Sequence, residues 1–201
     1  MGAKVTSATK LKQVSKSEPV VTGLVFESDL GWMALLVRDG KIARLQFGHA
    51  SEVAAKRALV AAESAESLTV AWSQPDRLAQ GWIRELKNYA SGKQASLADL
   101  PIEEAGMTPF QRSVRVACRK VKRGEVMTYG ELARKVGRPG AARAVGSVMS
   151  GNPTPLIVPC HRVLGANGLG GYSAPQGISM KLHLLDLEGA IEHVDCDCEH
   201  C

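Results

Sequence analysis

The chain has 201 residues, 45% of them hydrophobic, and a formal net charge of +5. That apolar content supplies a core for one large or two small domains and excludes disorder of the whole. No apolar run approaches the roughly 18 residues of a membrane span, residues 1–17 lack the apolar stretch of a secretory signal, and five cysteines, three of them in the last six positions, make no disulfide framework and point to the reducing cytoplasm.

Residues 1–19 carry four lysines and one glutamate, a basic tail of +3 that is expected to be flexible. A scaffold domain is then expected over residues 20–92. Val20 to Phe26, Trp32 to Val37 and Ile42 to Phe47 are apolar and β-branched. Asp39-Gly40 between the second and third runs predicts a hairpin, because glycine supplies the positive φ of a tight primed turn. Ser51 to Ala62 reads as a helix with Val53, Ala54, Ala58 and Ala61 as its stripe. Leu68 to Trp72 suits a short strand. Pro75 suits the first turn of a further helix, in which Leu78, Trp82, Leu86 and Tyr89 recur at three and four and which stops near Gly92. The expected product is an α+β unit, a small antiparallel sheet with helices on it. His49 is its only histidine and it has no cysteine, so no metal site and no chemistry are read in it. Trp32, Trp72 and Trp82 read as core.

Residues 93–107, with Pro101 and Gly106, read as a linker. Residues 108–190 read as a mostly helical second domain. Thr108-Pro109 opens a helix as N-cap and first residue. Phe110, Val114, Ala117, Cys118 and Val121 form its apolar stripe, with Arg112, Arg115, Arg119 and Lys122 off it. Thr128 with Glu131 is a capping box, and the helix that follows ends at Gly137. A short turn leads to a third helix, Ala141 to Met149, so that helix, turn and helix form a helix-turn-helix. Its second helix is rich in small residues and has Arg143 as its single long polar side chain. A smooth face of this kind suits close approach to a narrow groove with little base discrimination; tight packing in a core is the alternative. Charge supports the first reading: residues 106–189 carry a net +8, against −2 for residues 20–105, and a polyanion such as a nucleic-acid backbone is the partner implied.

Gly151-Asn152-Pro153 and Pro159-Cys160-His161-Arg162-Val163 follow. Taken alone, Cys160 beside His161 is most simply a buried thiol. The thiolate is the nucleophile, however, and an adjacent histidine can take the thiol proton or hold a water that does. Gly165, Gly168, Gly170 and Gly171 then lead to Tyr172-Ser173, a loop able to wrap a flat ligand; it lacks the Gly-Lys-Ser/Thr ending of a nucleotide-binding loop. The last helix, Ile178 to Leu187, has Ile178, Leu182 and Leu185 as its stripe. Glu188 at its C-terminus opposes the helix dipole, which favours a specific role such as backing His161.

Six ordered motifs carry a family resemblance: Val-Met-Thr-Tyr-Gly-Glu-Leu-Ala, Ala-Ala-Arg-Ala-Val-Gly, Gly-Asn-Pro, Val-Pro-Cys-His-Arg-Val, Gly-Gly-Tyr-Ser and Leu-Leu-Asp-Leu-Glu-Gly. Over residues 108–190 the chain resembles the O6-alkylguanine-DNA alkyltransferases, or methylated-DNA–protein-cysteine methyltransferases. The resemblance implies a ribonuclease H-like N-terminal half and direct repair of O6-methylguanine, and of O4-methylthymine, in double-stranded DNA. The alkyl group passes once and irreversibly to Cys160 from a flipped-out base. The implied protein is a cytoplasmic monomer, nucleoid-associated if bacterial, with no nucleotide or other required cofactor.

The same resemblance assigns roles. His161, through a water, and Glu188 form the relay that presents Cys160 already ionised. Asn152 joins the DNA-binding motif to the active site. The second helix, with Ala142, Gly146 and Ser150, enters the minor groove; Arg143 replaces the extruded nucleotide and Tyr129 presses on the adjacent phosphate. Tyr172 and Ser173 close on the base, and the Val163 carbonyl accepts from its amino group. Two positions depart from the pattern: Ser150 stands where many relatives have arginine, and Ala174-Pro175 replaces a frequent glycine. A cysteine hydrolase and a lesion-binding protein without an acceptor are the competing readings; the first leaves the DNA-binding motif unexplained, and Cys160 opposes the second.

Residues 191–201 form an acidic tail. Cys196, Cys198, His200 and Cys201 supply ligand types for zinc or another soft metal, at cramped spacing; the alternative is a tail without fixed structure.

Overall fold

Three antiparallel strands and a fourth, parallel one make the larger sheet of the computed structural model, which describes residues 21–63 and 69–193. They are β1 (Val21–Ser28), β2 (Gly31–Arg38), β3 (Lys41–His49) and β4 (Val70–Trp72), in the order β3-β2-β1-β4. The hairpin turn has φ of 49° at Asp39 and 69° at Gly40, as a primed turn needs. The purely antiparallel sheet expected from sequence is corrected at one edge, where β4 pairs in parallel with β1. β3 already runs parallel to β1, and a helical crossover returns the chain in the same direction.

Alternation along the strands explains why both sheet faces are apolar. Met33 and Leu35 point to one cluster and Ala34 and Leu36 to another. Helix α1 (Glu52–Ala61) covers the second. Its buried residues are Ala55 and Leu59, whereas Val53 is 65% exposed, so the stripe expected from sequence is corrected by rotation about the axis. Apolar residues spread around most of this helix, with Val53 and Val60 nearly opposite Ala55 and Leu59, and periodicity alone could not choose a face. Helix α2 (Arg77–Ala90) is capped by Asp76, whose side chain accepts from Ala79 N at 2.8 Å. Pro75 therefore precedes the cap instead of occupying the first turn. Trp82, Leu86 and Tyr89 are buried and Leu78 is exposed.

Residues 91–107 pack along the open edge of β3. Ile42 N donates to Pro101 O at 2.9 Å and Glu103 N to Ile42 O at 3.0 Å, while Leu97, Leu100 and Ile102 are buried.

The second half holds α3 (Pro109–Arg119), α4 (Tyr129–Lys135), α5 (Ala142–Ser150) and α6 (Ile178–Leu187). Thr108 and Thr128 both form full capping boxes, with Gln111 and Glu131. A two-stranded parallel pair, β5 (Met127–Thr128) with β6 (Val163–Leu164), ties the start of α4 to the Cys-His segment. Arg115 was expected on the solvent side of α3 and is 1% exposed. The expected stripe of α6 is also corrected: Met180, Lys181, Leu184 and Leu185 are buried, and Ile178 is 40% exposed. In both helices a cation turns inward because polar partners wait for it there. One apolar cluster runs from Leu24 and Leu45 through Tyr89 to Val114, Val145 and Leu184, so both halves share a core. Among the described residues no helix is long and apolar enough to cross a membrane.

Candidate active site

Cys160 opens a 3-10 turn, Cys160–Arg162, just ahead of β6. The chain leading to it is over-determined. Leu156 takes a φ of 68°, left-handed backbone that costs a side-chain-bearing residue roughly 1–2 kcal/mol, and it is held there by burial. Leu45 N of β3 donates to Pro153 O at 2.8 Å, so the N-terminal sheet fixes the height of the Asn152-Pro153 turn.

Behind the cysteine lies a buried polar cluster. His161 Nε2 and Glu188 Oε1 are 2.8 Å apart, with both side chains fully buried. Arg162 grips the same carboxylate, Nε to Oε2 at 2.8 Å and Nη2 to Oε1 at 2.9 Å. Tyr89 Oη, arriving from α2, donates to Oε1 at 2.5 Å and lies 3.3 Å from His161 Nε2. Burial opposes ionisation of Glu188, but hydrogen bonds from His161 and Arg162 overcome it and hold the carboxyl well below its usual range. An ionised carboxylate only accepts, so His161 Nε2 carries the proton and Nδ1 is left as an acceptor. Nδ1 has no partner among the described protein groups. Burial lowers the His161 pKa despite Glu188, so the ring rests neutral.

In front of the turn, Asn152 Nδ2 donates to Val158 O at 2.8 Å and to Cys160 Sγ at 3.3 Å. Its Oδ1 accepts from Arg115 Nη1 at 2.6 Å and Thr154 N at 3.2 Å. Arg115 Nη2 donates to Thr154 Oγ1 at 2.9 Å. Two hydrogen bonds from a charged group, about 1.5–3 kcal/mol each, roughly offset a burial cost of several kcal/mol and leave little surplus for stability. On the other side Lys181 Nζ donates to Val163 O at 2.7 Å and to Leu169 O, and burial pushes its pKa down to about 8.

Cys160 is 8% exposed, and burial pushes its thiol up although Asn152 and Lys181 favour the thiolate. The expectation of a sulfur that rests already ionised is therefore corrected: removal of its bulk solvent shell outweighs its donors. The sulfur is still not sealed in. It lines a cavity of about 780 Å³ with Tyr129, Arg143, Asn152, Tyr172 and Ser173 around it. Ala142, Gly146 and Ser150 line the same cavity from α5. A Cβ built on Gly146 would meet no atom within 4 Å, so packing within the chain does not require a small residue there. Gly170, at a φ of 70°, lets the loop lie on Tyr129; an added Cβ would fall 3.1 Å from its ring. Ser173 Oγ donates to Ser150 O at 3.3 Å, and Tyr172 is largely buried. Val163 lies behind the cavity with its carbonyl already accepting from Lys181.

Residues 109–190 match the family model described as "6-O-methylguanine DNA methyltransferase, DNA binding domain". A methylated-DNA–protein-cysteine methyltransferase of Metallosphaera sedula is 45% identical over 111 residues, which cover 55% of this chain and 68% of that protein. The chain belongs to this family. Another methylated-DNA–protein-cysteine methyltransferase, from Methanosarcina acetivorans, is 42% identical over 59% of this chain and 74% of its own length; for that of Shigella flexneri the figures are 46%, 54% and 63%. The crystal structure of Mycobacterium tuberculosis OGT in complex with DNA is similar over 85% of this chain and 94% of that one, with a TM-score of 0.66 and 31% identity.

Besides Lys181, two buried side chains at the site of this methylated-DNA–protein-cysteine methyltransferase are not legible in the sequence. Tyr89 reads from sequence only as a member of the apolar repeat of α2, and its helical spacing gives no sign of a hydroxyl at the carboxylate. Arg115 reads from sequence as lying off the apolar stripe of α3; the one available signal is a cation one position from Val114 on an amphipathic helix. The tail residues Cys196, Cys198, His200 and Cys201, proposed for zinc, lie outside the described residues. Among the described residues no group of three or more histidine, cysteine or acidic side chains gathers to hold a metal, and Cys118 and Cys160 are free thiols.

Proposed function

We propose that this protein repairs alkylated DNA by moving the methyl group of O6-methylguanine onto Cys160. One observation carries the reading: Cys160 Sγ lies at the floor of an open cavity, hydrogen-bonded by Asn152, with the His161–Glu188 pair behind it. The N-terminal half serves as a ribonuclease H-like scaffold. Helices α4 and α5 act as a helix-turn-helix whose second helix enters the minor groove. The open face at Gly146 and the basic second half favour this over internal packing.

The methyl carbon is out of reach inside a duplex, so the base is turned into the cavity. Arg143, exposed at the rim, fills the gap left in the stack, and Tyr129 presses on the neighbouring phosphate. The thiol proton passes through a water to His161 Nδ1, and Glu188 stabilises the imidazolium through Nε2. Sulfur then attacks the methyl carbon in line: an S–C bond forms, the C–O6 bond breaks, and its electron pair stays on guanine O6. Donors at that oxygen, the Tyr129 and Ser173 hydroxyls, stabilise the leaving charge. Tyr172 closes on the base, and Val163 O, which already accepts from Lys181, offers its second lone pair to the base's amino group. The product is a thioether with no linkage to hydrolyse, so each molecule acts once, as a monomer and without a cofactor. O4-methylthymine, with its methyl on an equivalent exocyclic oxygen, belongs to the same substrate class. Action beside the chromosome in the cytoplasm completes the reading.

Incubation with a duplex containing O6-methylguanine, followed by peptide mass mapping, tests it. One added methyl on the Cys160 peptide, absent in Cys160→Ser, is expected. Loss of the lesion with Cys160 unmodified, or an intact lesion held tightly, would sink the proposal.

A further inference from the structure

We propose that Arg115 is a positioning residue for Cys160: it locks the Asn152 amide with its NH2 toward the sulfur, and it places a buried positive charge behind the thiolate that forms. The inference rests on Cys160 being the methyl acceptor, as proposed above.

The first part follows from donor and acceptor inventory. An asparagine amide is nearly symmetric in shape, so its hydrogen bonds alone decide which end faces which neighbour. A guanidinium and a backbone N–H can only donate. Arg115 Nη1 at 2.6 Å and Thr154 N at 3.2 Å both point at one end of Asn152, which must be Oδ1. Nδ2 then faces Val158 O at 2.8 Å and Cys160 Sγ at 3.3 Å. A flipped amide would set its NH2 against two donors and its oxygen against the Val158 carbonyl. Thr154 Oγ1, at 2.9 Å from Nη2, keeps the guanidinium aimed.

The second part follows from burial. Arg115 is 1% exposed, its hydrogen-bond partners are neutral, and its Nε has no partner among the described residues. Glu104, Arg119 and Cys118 are the other charged or titratable groups around it, besides Cys160 itself. Around the sulfur stand Lys181 from α6, Tyr129 from α4, Tyr172 from the loop and Cys118 from α3. Lys181 is already committed to two carbonyls. A cation kept in the interior with no carboxylate among its hydrogen-bond partners, and Glu104 as its one acidic neighbour, gains a second anion when the neighbouring thiol gives up its proton.

The test measures the rate of Cys160 alkylation by iodoacetamide from about pH 6 to 10, read on the Cys160 peptide of the full chain. Arg115→Met is expected to raise the midpoint by about one pH unit, a rate about tenfold lower at neutral pH. Arg115→Lys, with charge but no fork, is expected to fall between. Combined with Asn152→Ala, Arg115→Met should add less than half of its own shift. A midpoint unchanged in Arg115→Met, or a full shift persisting without Asn152, overturns the proposal. Should Arg115→Met not fold, Thr154→Val frees the guanidinium and is expected to raise the midpoint by a smaller amount; no change there also overturns it. If the wild-type protein takes no methyl from an O6-methylguanine duplex while the midpoint still follows Arg115, the repair reading fails and the thiol assignment stands.

Discussion

Tyr89 Oη donates at 2.5 Å to Glu188 Oε1, an oxygen that also lies 2.8 Å from His161 Nε2, although Tyr89 and Glu188 are 99 residues apart in the chain. The scaffold half therefore reaches the carboxylate that backs His161 in the proposed relay. A carboxylate oxygen shared by tyrosine, histidine and arginine has little freedom to rotate, and the imidazole it holds is fixed through Nε2, with Nδ1 left without a partner among the described residues.

Tyr89→Phe removes that hydroxyl and little volume. Loss of a hydrogen bond to a charged group should cost about 1.5–3 kcal/mol of stability, and methyl transfer to Cys160 should slow about tenfold, equivalent to about 1.4 kcal/mol in the barrier. Denaturant unfolding and single-turnover kinetics measure the two separately. A transfer rate equal to wild type would remove Tyr89 from the relay.

Glu188→Gln should change the acid response. Burial raises the Glu188 pKa, but His161 and Arg162 hold it well below the usual range in the folded protein, against about 4.3 unfolded. The unfolded chain thus binds more protons, so this stabilisation is complete above the unfolded value and is lost as pH falls through the folded one. His161, kept neutral by burial, adds loss in the same direction below about pH 6.5. Stability of the wild type should decline more steeply below about pH 5 than that of Glu188→Gln, which starts lower at neutral pH. Parallel curves by urea unfolding at each pH would contradict the sign.

Arg143→Ala should slow repair of a duplex by about a hundredfold, about 2.7 kcal/mol, and barely change the reaction with free O6-benzylguanine. Only the duplex requires a base to be turned out. Equal losses on both substrates would count against the role given to Arg143.

Gly146→Leu should separate folding from DNA contact. No atom lies within 4 Å of the added Cβ, and replacing a helical glycine gains up to about 1 kcal/mol. The melting temperature should hold or rise while duplex affinity falls about tenfold, about 1.4 kcal/mol. Unchanged affinity by fluorescence anisotropy would take α5 out of the groove.

What the sequence disclosed and what it hid divide along physical lines. The strands around Asp39-Gly40, the N-cap at Thr108, the capping box at Thr128 and the turn at Gly137 depend on local chemistry, and the structure places them where the residues said. The motif around Cys160 and the final Glu188 were legible because residue types at fixed spacing imply a reaction. Arg115 and Lys181 were not legible, because a long cation turns inward only when distant acceptors wait for it, and Thr154 and the Leu169 carbonyl are unrelated to either helix's own period. The α1 face was hidden for a different reason, since valine, alanine and leucine together are spread around most of the helix. The resting charge of Cys160 depends on how much solvent the fold removes, which no local pattern records.

The bond from Leu45 N to Pro153 O closes the margin of the large sheet with the strip of chain that carries Asn152. An uncovered margin would invite pairing by foreign strands; here the same stitch both guards against aggregation and sets the reactive loop. A mutation that loosens the hem of the scaffold is therefore expected to disturb both solubility and the placing of Asn152 beside the sulfur.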